Sequence, residues 1–346
     1  MSESTVASKT GGTTGPAKRL RVLSGMQPTG NGRMHLGNYL GALRNWVSLQ
    51  DEYDCVFFVA DYHALTTLTD ATSIRPAIAE MVLDWLAAGI DPARSTVFVQ
   101  SHLPEVTELH LLLSMSTPLG WLERVPTYKE KVEQFPDNIN YGLLGYPVLQ
   151  AADILLPRAD RVPVGEDQAP HIELTREIAR RFNHRFGQVF PEPLGLFTEM
   201  PRVLGTDGVA KMSKSRGNTL GMLDSPEQIR RTVMTMVTDV GRPRRSDPGH
   251  PERCNVCSLH RFFSPDTWKE IWQGEREART GCVQVKGGLA DAIAAYFAPM
   301  RERRETLAAT PDLVWDVLAD GARRARATAR ETIAMAREAT GLGAPG

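Results

Sequence analysis

The sequence predicts an α/β fold: a parallel sheet with a helical insertion, followed by a C-terminal α-helical domain. Three observations carry this prediction. Apolar runs of strand length alternate with helical periodicity from residue 19 to residue 100. Helical spacing alone fills 104–156. Beyond 224 no strand-like run recurs.

Taken in order, residues 1–18 are rich in Ser, Thr, Gly and Lys and lack an apolar stretch. They read as a disordered tail rather than a secretory signal or an anchor. Residues 19–24 form a short apolar run, and 25–32 a Gly/Pro-rich turn. Leu36, Tyr39, Leu40, Leu43 and Val47 recur at helical spacing and predict a helix from 35 to about 53. Residues 55–60 are a continuous apolar run. Helix signals open at Asp70 and Ser73 and close at Gly89, and 95–100 read as another buried strand. Strands and helices alternating at this spacing predict right-handed crossovers and a Rossmann-like parallel sheet. A brief strand at 162–165, a helix at 166–186 and a Gly/Lys/Ser-rich loop at 205–218 follow. From 225 the pattern is helical, broken at 240–251. The expected organisation is therefore a tail (1–18), a sheet domain (19–223, insertion 104–156) and a helical domain (224–346).

A chain of 346 residues with 42% hydrophobic content can bury a large core. Lys plus Arg is 40 and Asp plus Glu is 41, which excludes a polycation but not a local basic patch. The stretch 224–346 holds 19 basic and 17 acidic residues, a slight excess suited to contact with phosphate. No apolar run approaches the ~20 residues that cross a bilayer, so no membrane association is expected. Four cysteines are too few for a disulfide framework, and a reducing cytoplasmic setting is the expectation.

Two motifs carry phosphate chemistry. Gln27-Pro28-Thr29-Gly30 and His35-Leu36-Gly37-Asn38 join the first strand to the first helix. Free N–H groups and the positive helix end meet there, His35 and Asn38 add donors, and Gly37 lets a flat base approach the backbone. An ordinary helix start with a surface histidine fits the tetrapeptide equally well. The second motif is Lys211-Met212-Ser213-Lys214-Ser215. Two lysines three apart on a flexible loop can reach one polyphosphate, although such a cluster is also the usual composition of a solvated loop. A third constellation is Tyr146, Gln150 and Asp153, spaced i, i+4, i+7 on an otherwise apolar helix. A carboxylate in that setting must find a donor. An indole N–H is one; a helix cap, Arg158 or Arg161 are others. Asp167, in Gly165-Glu166-Asp167-Gln168, can accept from a ribose hydroxyl or cap the following helix.

Together the first two motifs resemble those of class I aminoacyl-tRNA synthetases. The runs 24–30, 35–42, Asp61-Tyr62-His63-Ala64, Tyr128-Lys129-Glu130-Lys131, 151–155 and 164–168 narrow the resemblance to the bacterial tryptophanyl-tRNA synthetases, over about 20–342. The resemblance implies ATP-dependent activation of L-tryptophan, with Mg²⁺, and transfer to tRNA-Trp. It implies a homodimer whose helical domain, 224–346, reads the anticodon. By the same resemblance His35, Asn38, Lys131, Lys211 and Lys214 act on the phosphates. Gln27, Pro28, Thr29, Gly37, Gly165, Asp167, Met212, Ser213 and Ser215 complete the ATP site. Asp153 takes the indole nitrogen, and Leu23, His63, Tyr146, Gln150 and Gln168 form the rest of the tryptophan pocket.

Two departures stand out. Asn31, Gly32, Arg33 and Met34 make a longer spacer before His35 than the family usually has. Cys254, Cys257 and Cys282 match three positions of a four-cysteine iron–sulfur set found in some relatives, but Val285 stands at the fourth. Three thiols make a poor closed site, so free buried cysteines, without a cluster, are expected. The alternative activities are a tyrosyl-type synthetase, in which Asp153 would accept from a phenol, and a nucleotidyltransferase acting without tRNA. A catalytically silent binding paralogue is a third.

Overall fold

A computed structural model describes residues 19–66, 70–134, 136, 139–165, 168–197 and 203–343. Five parallel strands form one sheet in the order β3-β2-β1-β4-β5: β1 Arg21–Met26, β2 Asp54–Val59, β3 Thr96–Val99, β4 Arg161–Val164 and β5 Leu194–Phe197. From β1 the chain winds outward through β2 and β3, then returns to the other side of β1 as β4. That reversal opens a crevice at the carboxyl ends of β1 and β4, where ligands bind in such sheets.

Helix α1 (Leu36–Asn38) runs through a π turn (Tyr39–Leu43) into α2 (Arg44–Leu49). Leu36, Tyr39, Leu40 and Leu43 face the core as their spacing predicts. Beyond the π turn Trp46 and Leu49 take the buried positions, and Val47 packs at the margin. A short α3 (Asp61–Ala64) follows β2, and α4 (Ile74–Ala88) crosses to β3. The insertion holds α5 (Glu105–Ser114), α6 (Leu119–Glu123), α7 (Pro126–Gln134) and α8 (Tyr141–Leu155). Then come α9 (Ala169–Phe186), α10 (Pro226–Thr235), α11 (Asn255–Phe263), α12 (Trp268–Arg276), α13 (Cys282–Ala308) and α14 (Leu313–Thr340). Strand β5 is absent from the sequence reading. It is a four-residue edge strand without a two-residue burial period, entered through Pro191 and Pro193.

Strand alternation sends Val22, Phe57 and Val97 to one face and Leu23, Phe58 and Phe98 to the other. The first face packs on α1, α2 and α4, but also on α10, α11 and α13, through Ile229, Leu259 and Phe297. The second packs on α5, α8 and α9, and on α14 through Ala322, Ala329 and Ile333. Residue 224 thus marks a change of element type, and helices from beyond it complete both cores.

Helix α14 also covers the β3 edge, which would otherwise offer unpaired backbone. Arg324 donates to the carbonyls of Pro92 and Ser95 at 2.7 and 3.0 Å. The approach depends on Gly321: a Cβ there would lie 1.8 Å from the Val97 carbonyl oxygen. Gly321→Ala is expected to cost about 1–3 kcal/mol by overpacking, read as a lower Tm. Gly287→Ala, in a roomier part of α13, is expected to leave Tm unchanged or slightly raised.

Candidate active site

The turn after β1 is shaped by two glycines. Gly30 and Gly32 have φ of +54° and +81°, the left-handed region other residues rarely adopt. The Gly32 N–H donates to the Thr29 carbonyl at 3.0 Å. A Cβ on Gly32 would lie 2.0 Å from the Ala77 carbonyl oxygen, so the turn rests directly on α4. The longer spacer is accommodated by this seat. His35 then caps α1. Its Nδ1 accepts from the Asn38 N–H, and the Asn38 side chain accepts from the His35 N–H, both at 3.2 Å. With Nδ1 accepting, the imidazole proton sits on Nε2, which is left as a donor.

The Lys211–Ser215 segment docks on this turn from 180 residues away. Met212 is buried, and its Cβ lies 3.3 Å from where a Gly37 Cβ would be. Leu36 N–H donates to the Leu220 carbonyl at 2.8 Å, and Met222 N–H to the Met34 carbonyl at 2.9 Å. Lys214 lies in a 3₁₀ turn (Lys214–Arg216), and its Nζ donates to the Thr29 carbonyl at 2.8 Å. Ser213 N–H donates to the Asn218 side chain at 2.8 Å, and Asn218 donates to Asp207 at 2.7 Å. Lys211 and Ser215 are exposed.

Burial pushes the His35 pKa down to about 4, with the Lys214 and Lys211 charges adding to the shift. The ring is neutral at pH 7. Burial also lowers Lys214, Asp84 opposes the shift and Arg33 adds to it, leaving its pKa at about 8. Two cations and a neutral N–H donor therefore act on one another here, an arrangement suited to a polyphosphate.

The other half of the site lies along the same sheet edge. Pro147 breaks no cap in α8, which Asn140 starts by accepting the Leu143 N–H at 3.0 Å. Tyr146, Gln150 and Asp153 follow on one face. Asp153 is 7% exposed. It pairs neither with Arg158, which donates to Val189, nor with Arg161, which donates to Asp160. Its partners are His63 Nε2 on α3, at 2.9 Å from Oδ2, and Gln100 Nε2 beyond β3, at 2.8 and 2.9 Å from the two oxygens. Burial pushes its carboxyl above the usual carboxylate range, and the His63 contact pulls it back. Gln100 also accepts the Tyr62 N–H at 3.1 Å. A carboxylate has about four lone-pair sites, and these contacts use three. Among the described residues, one acceptor site on Oδ1 is left without a donor.

The Tyr146 hydroxyl is hydrogen-bonded to Thr127, which meets His171 Nε2 at 3.0 Å. The Tyr146 ring centroid lies 6.4 Å from that of His63 and 6.0 Å from that of His171. Leu23 is buried in β1, Gln150 and Gln168 are half-buried, and Gly165 is buried at the end of β4. Gln27 is half-buried, Pro28 buried and Thr29 exposed. Asp167 and the Lys131 side chain lie outside the described residues. Gln100, Thr127 and His171 are absent from the sequence reading. Only Gln100 left a trace there, as a polar residue closing an apolar strand. The other two are set by the packing of α7 and α9 on α8.

Cys254 caps α11, its Sγ accepting the Cys257 N–H at 3.5 Å, and both are buried; Cys282 is half-buried. Among the described residues no three His, Cys, Asp or Glu side chains are grouped to hold a metal ion, and no helix is long and apolar enough to cross a membrane.

The family model described as tRNA synthetases class I (W and Y) matches residues 16–298. The tryptophan–tRNA ligase of Thermotoga maritima is 46% identical over 93% of this chain and 99% of its own length. That of Ralstonia nicotianae is 43% identical over 93% and 98%. The crystal structure of tryptophanyl-tRNA synthetase from Campylobacter jejuni, complexed with ADP and tryptophan, superposes with a TM-score of 0.82 at 36% identity, covering 93% of this chain and 100% of that one. Matched along most of its length and at this identity, the chain belongs to the class I tRNA synthetases of the W and Y family.

Proposed function

We propose that the chain activates L-tryptophan with ATP, giving tryptophanyl-AMP and pyrophosphate, and then charges tRNA-Trp. The observation that carries this reading is the single open acceptor site on a buried carboxylate, placed on the same sheet edge as the two docked phosphate motifs. An indole N–H fills that acceptor. Leu23, His63, Tyr146, Gln150 and Gln168 enclose the amino acid. Relatives named for tryptophan, at 40–46% identity along the chain, favour it over a tyrosyl-type activity.

The tryptophan carboxylate is ionised at pH 7 and needs no general base. Its oxygen attacks the α-phosphorus, the bond to the bridging oxygen of the β-phosphate breaks, and that oxygen leaves with the electron pair as part of pyrophosphate. Catalysis is then positioning and charge stabilisation. His35 Nε2–H and Asn38 donate to the phosphates, and Lys211, Lys214 and Lys131 supply cations as charge builds on the leaving group. Gln27, Pro28, Thr29, Gly37, Gly165, Asp167, Met212, Ser213 and Ser215 hold the nucleotide. Mg²⁺ bound with ATP would neutralise part of the triphosphate. Its ligands would be drawn from phosphate oxygens and water. In the second step a ribose hydroxyl of the terminal adenosine of tRNA attacks the acyl carbonyl and AMP leaves.

The helical part, 224–346, is assigned to the anticodon, with the acceptor end entering the sheet crevice. A homodimer is the assembly we assign. Leu111, Met115 and Leu119, 55, 67 and 57% exposed on the insertion, give it an apolar surface to cover. The cytoplasm is the compartment we assign.

ATP–pyrophosphate exchange tested with each of the twenty amino acids decides the reading: tryptophan alone should support it, and tyrosine-dependent exchange or none would refute it. Asp153→Asn is expected to raise KM for tryptophan about 10- to 150-fold, the worth of a hydrogen bond to a charged group. Lys214→Ala is expected to lower kcat of exchange on the order of 10²–10³-fold with tryptophan affinity retained, measured by equilibrium binding. The ammonium is needed charged. kcat/KM for ATP should therefore hold below pH 8 and fall as pH rises through about 8, where Lys214 deprotonates.

A further inference from the structure

We propose that Asp84 is a positioning residue of the activation step: a buried carboxylate that fixes the phosphate-binding turn through Met34 and ties that turn to α13 through Arg304. The proposal rests on the assignment of His35 and Lys214 to the phosphates.

Asp84 is 0% exposed on α4, beside Met81, Trp85 and Leu86. An apolar residue of that size would pack there without the cost of burying a charge. The contacts of the carboxylate account for its presence. Oδ2 accepts the Met34 N–H at 2.8 Å, and Oδ1 accepts Arg304 Nε at 2.7 Å. Glu80, one turn earlier, accepts from the other arm of Arg304 at 2.5 Å. Arg33 meets the same two acids more loosely, at 3.5 and 3.6 Å. Arg303 donates to the Ala87 carbonyl at 2.8 Å, so α13 grips α4 at two places.

Met34 is the residue before His35. Its N–H is held by Asp84 and its carbonyl by Met222. The orientation of that peptide sets where the His35 ring begins, and the same turn carries the Thr29 carbonyl that Lys214 touches. Asp84 therefore acts on both phosphate motifs without touching substrate. It acts by charge as well. The charges that act on Lys214 are Asp84 on α4, which raises its pKa, and Arg33 on the turn, which lowers it, while Lys214 and Lys211 both act on His35. Burial pushes the Asp84 carboxyl up, with Met34, Arg33 and Arg304 opposing, and its charge works against the burial that lowers Lys214.

Asp84→Asn tests this in the full-length enzyme. The one amide oxygen can still accept from Met34, while the NH2 takes the place of the oxygen that accepts from Arg304, so the charge and the Arg304 hydrogen bond are lost together. Expected are a kcat of exchange lower on the order of tenfold, an unchanged KM for tryptophan, and a basic limb of the kcat/KM(ATP) profile moved to lower pH. Arg304→Gln, read alongside, should raise KM for ATP and spare KM for tryptophan, with partial recovery in Arg304→Lys. Parallel losses for ATP and tryptophan with a lowered Tm, or a pH limb unmoved in Asp84→Asn, would overturn the proposal. Should Asp84→Asn fail to fold, wild-type ATP parameters in Arg304→Gln would overturn it. Lys214→Ala is the control. If it retains exchange, the assignment of the phosphate site falls. If it loses exchange while Asp84→Asn behaves as wild type, only the role of Asp84 falls.

Discussion

The structure depends on one docking event: a segment near residue 214 closes on a turn near residue 30. Two main-chain hydrogen bonds, Leu36 to Leu220 and Met222 to Met34, fix the register. Buried Met212 against Gly37 and the Lys214 contact with Thr29 complete the join. Without it each motif is an exposed stretch of polar chain. With it, a neutral imidazole and two cations share a partly desolvated mouth, where electrostatic contacts count for more than in water.

The sheet turns that local join into a site. Parallel strands place every strand end on one edge, so Gln27 after β1, His63 after β2, Gln100 after β3 and Gly165 after β4 all arrive there. One end of the site is apolar and closed around a carboxylate. The other is cationic and open. An ATP-dependent ligase that joins an aromatic amino acid to an adenylate needs that polarity, because the amino-acid side chain must leave water while the phosphates must be reached by charge.

The helices beyond residue 224 serve this same edge. They fill both sheet faces, cover β3 and place Arg304 against Asp84. Buried charge in such a position favours one arrangement over others, because any slip leaves a carboxylate without its donors. The helical part is thereby tied through Asp84 to the turn that precedes His35.

Much of this was legible in the residues. Apolar runs and helical spacing gave four strands and the major helices, since the core imposes those periods directly. The phosphate motifs and Asp153 were legible because glycines, lysines and a lone acid stand out against their neighbours. Strand β5 was not, being short and at an edge. The sequence by itself determined which segments are strand or helix wherever the core imposes its period, β5 excepted. Only the tertiary structure decided that Asp153 shares its charge with His63 and Gln100, that Thr127 and His171 back Tyr146, and that Asp84 reaches both Met34 and Arg304. Those pairings join residues 19 to 220 positions apart. Periodicity reports a residue's own element, whereas a long-range hydrogen bond exists only after packing has brought two elements into contact.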